Sequence, residues 1–374
     1  MIVHFDCRHF RGDRPCAPHK REGVHCAGCP HHSPVRTRIL VVKLDAVGDV
    51  LRTTCILQGL KEKWPQAGIE WITRGDAVPL FDNNPVVDRV IPYPGEVWAE
   101  LATSAYDLAI NLDASPASAR LAAMARAERR LGYGMDPRGY VVPLSEEARP
   151  WFEMGLFDDV KLRNTRTYQE IVLAICGLEG ADKTIRIFLT KEEKERARRL
   201  AASWRIAPGA PVIGFNTGAG GRWEHKKWTE EGYVDLIRLL AGAAAGGGPA
   251  PAMLLLGGPE EKERNRRIAE RAGYAATDTG TGHSLREFFA IVDLCDVVVT
   301  GDTMAVHVAA ALGKKVVALF GPTSAAEIDL YGRGIKIVSD APCAGCYRSS
   351  CDVTPTCMER IAAAEVAEAV RSLL

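Results

Sequence analysis

The stretch from Val298 to Thr323 constrains this chain most. A short β-branched run, Val297–Thr300, stops at Gly301-Asp302-Thr303. An alanine-rich segment then carries His307 to Leu312, and a second apolar run, Lys315–Phe320, closes on Gly321-Pro322-Thr323. This order reads as buried parallel strand, tight turn, helix and returning strand, which commits the chain to an α/β fold. In such folds the turn between a strand's carboxyl end and a helix's amino end receives ligands, because its free backbone N–H groups point outward. Asp302 and Thr303 are both suited to cap the helix. His307 sits one helical turn further on and faces the same mouth. For the turn alone, an N-capped helix with a satisfied histidine explains the residues equally well.

A chain of 374 residues is long for one domain and comfortable for two. Lysine plus arginine equals aspartate plus glutamate, 47 of each, so no basic face for a nucleic acid is expected. The first residues carry charges and histidines where a secretory signal needs an apolar core, which points to a cytoplasmic protein. The uncharged run Leu239–Gly258 is interrupted by Gly246-Gly247-Gly248-Pro249-Ala250-Pro251 and reads as helix end, loop and strand. Contact with a membrane is therefore expected to be peripheral at most.

Eight of the eleven cysteines fall into two groups. Cys7, Cys16, Cys26 and Cys29 lie in a polar opening segment with no helical or strand period, spaced C-x8-C-x9-C-x2-C and accompanied by His25, His31 and His32. Four thiolates around one ion order a segment that buries too little to fold alone. Zinc is the default ion, and iron or an iron–sulfur cluster carries the same signature. A disulfide pair is disfavoured without an export signal, and free thiols are the competing reading. Cys343, Cys346, Cys351 and Cys357 form the second group, C-x2-C-x4-C-x5-C, compact enough for one tetrahedral ion. Whether the two groups make separate sites or adjoin is left open. Cys55, Cys176 and Cys295 stand alone in apolar stretches as inert thiols.

Further strands are expected at Arg38–Lys43, Ile69–Thr73, Arg89–Ile91, Leu108–Asn111, Val212–Asn216 and Met253–Leu256. Helices are expected at about Asp49–Trp64, Arg120–Arg130, Thr190–Trp204, Leu285–Ile291 and Met358–Leu374. The first strand runs into Leu44-Asp45-Ala46-Val47-Gly48-Asp49, another strand–turn–helix junction. From the residues alone, Asp49 is a helix-start carboxylate favoured by the helix dipole. After Val212–Asn216 comes Thr217-Gly218-Ala219-Gly220-Gly221-Arg222, then Lys226-Lys227-Trp228. Glycines let a backbone approach phosphates and a nearby lysine adds a mobile cation, but the loop spells neither a Walker sequence nor a dinucleotide fingerprint.

Five motifs, in order from about residue 36 onward, resemble glycosyltransferase family 9, the ADP-heptose:lipopolysaccharide heptosyltransferases. GDTMAVHVAAALGKKVVALFGPT is similar to that family's D-T-G-x-x-H-x-A-A-x-L-G…FGPT signature, with Met304 where the family has Gly. Gly48-Asp49 resembles the pair that carries its catalytic carboxylate. Tyr106 to Asp113 resembles the strand leading to its acceptor side, with Ser115 and Ser118 following as acceptor contacts or helix caps. The stretch Asn216 to Trp228 resembles N-x-G-A…K-x-W-P, with Thr229 in place of Pro. Gly257-Gly258-Pro259-Glu260-Glu261 resembles G-G-x-x-E, whose glutamate holds a ribose or base edge.

The resemblance implies a GT-B architecture of two facing Rossmann-like doubly wound domains. The expected organisation is 1–35 a cysteine-rich metal segment, 36–182 the acceptor domain, 183–340 the sugar-nucleotide domain, and 341–374 the second cysteine group with a helix that crosses back. It implies inverting transfer of a heptose or related sugar from a nucleoside diphosphate to the hydroxyl of a glycan, lipid or protein. Asp49 is then the general base, and Thr217, Lys226, Glu261, Asp302, Thr303 and His307 bind the donor. Gly48 and Ser115 face the acceptor. It also implies that metal, iron in some members, belongs to the tail cysteines as a structural ion. No Asp-x-Asp pair is present to hold the diphosphate through a catalytic metal. A sugar-nucleotide epimerase of the same shape and a non-catalytic, metal-stapled binding scaffold are the rival readings.

Overall fold

Strand Thr37–Val42 (TRILVV) is β1, and its last four residues are buried, as a central parallel strand covered on both faces requires. In the computed structural model, which describes residues 1–204, 206–220, 224–242, 249–348 and 350–374, the chain divides into two units. Gly221-Arg222 of the glycine-rich loop and Gly246-Gly247-Gly248 lie outside the described residues. The first unit comprises Met1–Ala46, Thr53–Phe152 and Gln169–Lys183; the second comprises Val47–Arg52, Glu153–Tyr168 and Thr184–Leu374.

The first unit carries β1, β2 (Ala67–Arg74), β3 (Arg89–Tyr93), β4 (Ala105–Asn111), β5 (Arg126–Met135) and β6 (Val141–Pro143), in the order β3-β2-β1-β4-β5-β6. All pairings are parallel except the edge pair β5–β6. This is the doubly wound Rossmann order, with its switch point between β1 and β4. β4 and β5 approach closely at Gly132, whose φ is +87° and where an added Cβ would stand 1.9 Å from the Asn111 carbonyl oxygen. Only glycine fits there.

The second unit repeats the topology. Its strands are β7 (Val212–Asn216), β8 (Ala252–Leu256), β9 (Thr277–Asp278), β10 (Val297–Gly301), β11 (Lys315–Phe320) and β12 (Gly334–Val338), ordered β12-β11-β10-β7-β8-β9 and parallel throughout. Phe215, Trp228, Tyr233, Leu255, Val299 and Val317 are buried in one core with Val366 and Val370 of the last helix.

Two expectations are corrected. The basic stretch expected to be helical through Arg130 leaves the helix Pro116–Met124 at Ala125, and Arg126–Arg130 enters β5. Backbone pairing with β4 (Ala105 opposite Arg126, Ala109 opposite Arg130) overrides the helix-forming tendency of alanine and arginine. The last helix, Ala363–Leu373, does not leave the second unit: it packs there on the helix Glu230–Ala241, and Arg371 donates to the Leu239 carbonyl at 2.8 Å. The segments that separate from their sequence neighbours are Val47–Arg52 and Glu153–Tyr168.

Candidate active site

In the second unit the switch point lies between β7 and β10, where Thr300 stands opposite Asn216. The Asn216 side-chain amide donates to the Gly218 carbonyl at 3.1 Å, to Thr300 Oγ1 at 3.2 Å and toward Thr303 Oγ1 at 3.3 Å, tying the two strand ends together. Thr303, in extended conformation, is the N-cap of the helix Met304–Ala311, and its Oγ1 accepts from the Ala305 N–H at 3.1 Å. Thr217 Oγ1 donates to Asn265 at 2.5 Å, and its carbonyl accepts from Arg264 at 3.1 Å. Thr229, the departure from Pro, caps the helix that follows by accepting from the Gly232 N–H at 2.9 Å.

Lys226 ends a short 3-10 turn, and its Nζ lies 3.0 Å from Asp302 Oδ2. Burial works against the Asp302 charge, but the Lys226 ammonium, with His307 and Arg52 beyond it, holds the carboxyl below its ordinary range. Glu261 is 5% exposed; its Oε2 accepts from the Gly258 N–H at 2.9 Å, while Oε1, buried against Gly218, meets no hydrogen-bond partner among the described residues. A buried carboxylate oxygen left in this state is ready to accept from a ligand hydroxyl or amine.

The Gly48-Asp49 junction belongs to this same unit. A Cβ on Gly48 would lie 3.1 Å from the His307 ring and 3.2 Å from the Met304 backbone. The amino ends of the helices Val47–Thr53 and Met304–Ala311 therefore meet at the glycine. Asp49 Oδ1 is 2.8 Å from Arg52 Nη2 one turn along. The buried Arg52 guanidinium lies 3.9 Å over the Tyr168 ring, and its Nη1 is 4.0 Å from Glu327 Oε2. Glu327 is 8% exposed; it accepts from the Tyr347 hydroxyl at 2.8 Å, and that hydroxyl accepts from the Ser324 N–H at 3.0 Å. Burial raises the Glu327 pKa, against the opposing pull of Arg52.

His307 is buried, and burial, helped by Arg52, pushes its pKa down to about 4 from the ordinary 6.5 although Asp302 and Asp49 pull the other way. At neutral pH the ring is uncharged and carries one N–H to donate. Between 6.5 and about 4 the unfolded chain takes up a proton that the folded chain refuses, so stability rises with pH across that window. Acidification through it costs about 3 kcal/mol on this account. Urea unfolding at pH 7 and pH 5 is expected to show about 2 kcal/mol of that loss, and His307→Leu is expected to flatten the slope.

Of the residues singled out in the sequence, Gly48, Asp49, Thr217, Lys226, Glu261, Asp302, Thr303 and His307 fall in the second unit. Ser115 falls in the first, where it caps the helix Pro116–Met124 by accepting from the Ser118 N–H at 3.3 Å. Sequence reasoning missed Arg52, Tyr168, Glu327 and Tyr347. Arg52 was findable, since three residues from Asp49 on one helix is ion-pair spacing; the others come from distant segments. Cys357 lies under burial and among the thiols of Cys346, Cys343 and Cys351, which raise its pKa together. Among the described residues, none of the eleven cysteines is joined in a disulfide. Among the described residues, no helix is long and apolar enough to cross a membrane.

Known proteins resemble this chain in sequence and fold. The family model described as glycosyltransferase family 9 (heptosyltransferase) matches residues 95–356. Lipooligosaccharide heptosyltransferase 2 of Haemophilus influenzae is 25% identical over 350 residues, covering 85% of this chain and 96% of that protein. Lipopolysaccharide heptosyltransferase 2 of Escherichia coli K12 is 24% identical over 361 residues, covering 85% and 95%. Among solved structures, a family 9 glycosyl transferase from Veillonella parvula superposes with a TM-score of 0.76 at 19% identity, over 90% of this chain and 97% of that one. The E. coli ADP-heptose lipopolysaccharide heptosyltransferase II gives 0.63 at 23%, over 90% and 98%. The dodecameric iron-containing heptosyltransferase TibC, in complex with ADP-D-beta-D-heptose, gives 0.56 at 12%, over 91% and 76%. These superpositions show a common GT-B fold. With the family match running over most of the chain, the protein is a glycosyltransferase that belongs to family 9.

Proposed function

We propose that the protein transfers a heptose from ADP-heptose to a hydroxyl of a lipopolysaccharide-type acceptor, with inversion at the anomeric carbon. One observation carries this reading. The helix start bearing Asp49 meets, through Gly48, the helix start bearing His307, and Asp302 just before that helix pairs with Lys226. A proton acceptor and a cationic cradle thus stand in one unit of the fold.

Each residue has a distinct task. Asp49 takes the proton of the attacking hydroxyl. The hydroxyl oxygen bonds to the anomeric carbon from the face opposite the diphosphate, the carbon–oxygen bond to the diphosphate breaks, and ADP leaves with the electron pair. The Lys226 ammonium and the N–H groups at the start of Met304–Ala311 meet the charge that grows on the departing phosphate. Asp302 holds the lysine, and the neutral His307 ring donates to a phosphate oxygen. Glu261 offers its Oε1 to the donor's ribose or base, beside Thr217. Gly48 in the second unit and Ser115 in the first are each assigned to contact the acceptor. The names of the heptosyltransferase relatives and the ADP-heptose in the TibC complex support this choice of donor and acceptor class.

The four tail thiols fit a structural ion, zinc or iron, since Cys357 is packed against Gly321 and shares its surroundings with Cys343, Cys346 and Cys351. Such an ion would cross-link the tail, and TibC's iron supports this. Incubating the protein with ADP-heptose, with and without a heptose-free lipopolysaccharide core, tests the activity. ADP release that requires the acceptor, with an inverted glycosidic product by NMR, is expected. Epimerised sugar released without acceptor would replace the transferase reading with the epimerase.

A further inference from the structure

The opening segment lies outside residues 95–356, and the transfer chemistry makes no use of it. Within residues 1–36 only Pro18 is buried. Ordering a backbone costs roughly 1–2 kcal/mol per residue, and one buried proline offsets little of that. Both ends of the segment are nevertheless fixed to the first unit. Arg8 N–H donates to the Ser33 carbonyl at 2.7 Å, Val35 N–H to Asp6 at 2.7 Å, and Arg36 N–H to Gln66 at 3.0 Å. Arg8 also pairs with Asp88 and donates to the Ala67 carbonyl at 2.6 Å. Between these anchors the chain loops around a cavity of about 310 Å³ lined by Cys7, Cys16, Cys26 and Cys29 together with His19 and His25.

The thiols leave the backbone from turns. Cys29 N–H donates to the Cys26 carbonyl at 3.2 Å, with Gly28 at φ +72° between them. Phe10 N–H donates to Cys7 at 2.8 Å, and Lys20 N–H to Cys16 at 3.0 Å. His19 Nδ1 is held 2.9 Å from the Val24 carbonyl. Four cysteines lining one cavity, on a stretch with no apolar core, match what a thiolate-bound ion stabilises.

We propose that this segment is a metal-binding module, with Cys7, Cys16, Cys26 and Cys29 as thiolate ligands of one divalent thiophilic ion of the zinc class. Among the described residues, the group whose ligand atoms already lie within 4.8 Å of one another is instead His4, Asp6 and His32. The four cysteines line the cavity, and binding an ion requires their sulfurs to draw together. Two facts favour the thiols over the His–Asp–His group. Arg36 Nη1 lies 3.5 Å from Asp6 Oδ2 and opposes a second cation there. Sulfur donors also select zinc over the harder ions that a carboxylate suits.

The test uses the full chain carrying Cys343→Ser and Cys346→Ser, which silences the tail thiols. Elemental analysis and zinc titration against a chromophoric chelator are expected to show one zinc per chain. Adding Cys26→Ser and Cys29→Ser is expected to weaken zinc binding beyond the 10–100-fold typical of outer-shell changes, with ADP binding in the second unit retained. His4→Ala with His32→Ala is expected to leave zinc bound. Zinc unchanged in the Cys26/Cys29 variant, or lost only in the His4/His32 variant, overturns the assignment. If the serine variant does not fold, an organomercurial titration of the parent chain decides: zinc is expected to appear in step with thiol modification, and its retention overturns the site. Visible absorption from bound iron in place of zinc overturns the choice of ion.

Discussion

Asp49→Asn is expected to lower the rate of sugar transfer by about 10²–10⁴-fold, the range that a positioned general base contributes, while ADP binding changes little. The asparagine keeps the shape of the side chain and can still place an oxygen 2.8 Å from Arg52 Nη2, as Asp49 Oδ1 does now. What it lacks is a basic oxygen to receive the hydroxyl proton. The groups assigned to the diphosphate, Lys226 and the start of Met304–Ala311, are untouched, so calorimetry with ADP should report near-normal affinity. Single-turnover assays with bound donor separate the chemical step from substrate affinity. Turnover within a few-fold of the parent would remove the base assignment and move attention to Glu327, the other carboxylate near Arg52.

How much of this was legible in the sequence depends on distance along the chain. The turn at Gly301-Asp302-Thr303 could be read because strand period, cap residues and helix composition are local, and β10, its cap and its helix follow that reading. Lys226 could be assigned to the donor only by resemblance, since nothing local says that its ammonium reaches Asp302, 76 positions later. Glu327 and Tyr347 were illegible for the same reason: each is an ordinary residue until the fold brings it to Arg52, which its spacing from Asp49 alone could have flagged. Arg126–Arg130 shows the opposite failure. Its composition favours helix, but the free edge of β4 offers hydrogen bonds that a helix end cannot match. The membership of Val47–Arg52 in the second unit was likewise invisible, because Gly48 looks like any turn glycine until Met304 and His307 are packed against it.

Lys226→Met is the second large effect. The substitution keeps the aliphatic stem and deletes the ammonium 3.0 Å from Asp302 Oδ2. Two losses follow. The departing phosphate loses a fixed cation where its charge grows, a contribution on the scale of 10²–10³-fold in rate. Asp302 also loses the largest attraction holding its carboxyl below the ordinary range, so burial is left to raise its pKa. The sign is fixed by that cause. In the parent chain Lys226 holds the Asp302 carboxyl down; in the variant Asp302 takes up a proton more readily as pH falls, so the acid limb of the pH–rate profile of Lys226→Met should begin at a higher pH than that of the parent. Asp302→Asn separates the two losses. If the lysine acts on phosphate directly, Asp302→Asn keeps the cation and loses only its aim, giving a smaller defect than Lys226→Met in both turnover and ADP affinity. Equal defects in the two variants would mean that the ion pair acts only as a brace for the β10 turn. An undiminished rate in Lys226→Met would take the diphosphate away from this corner of the fold altogether.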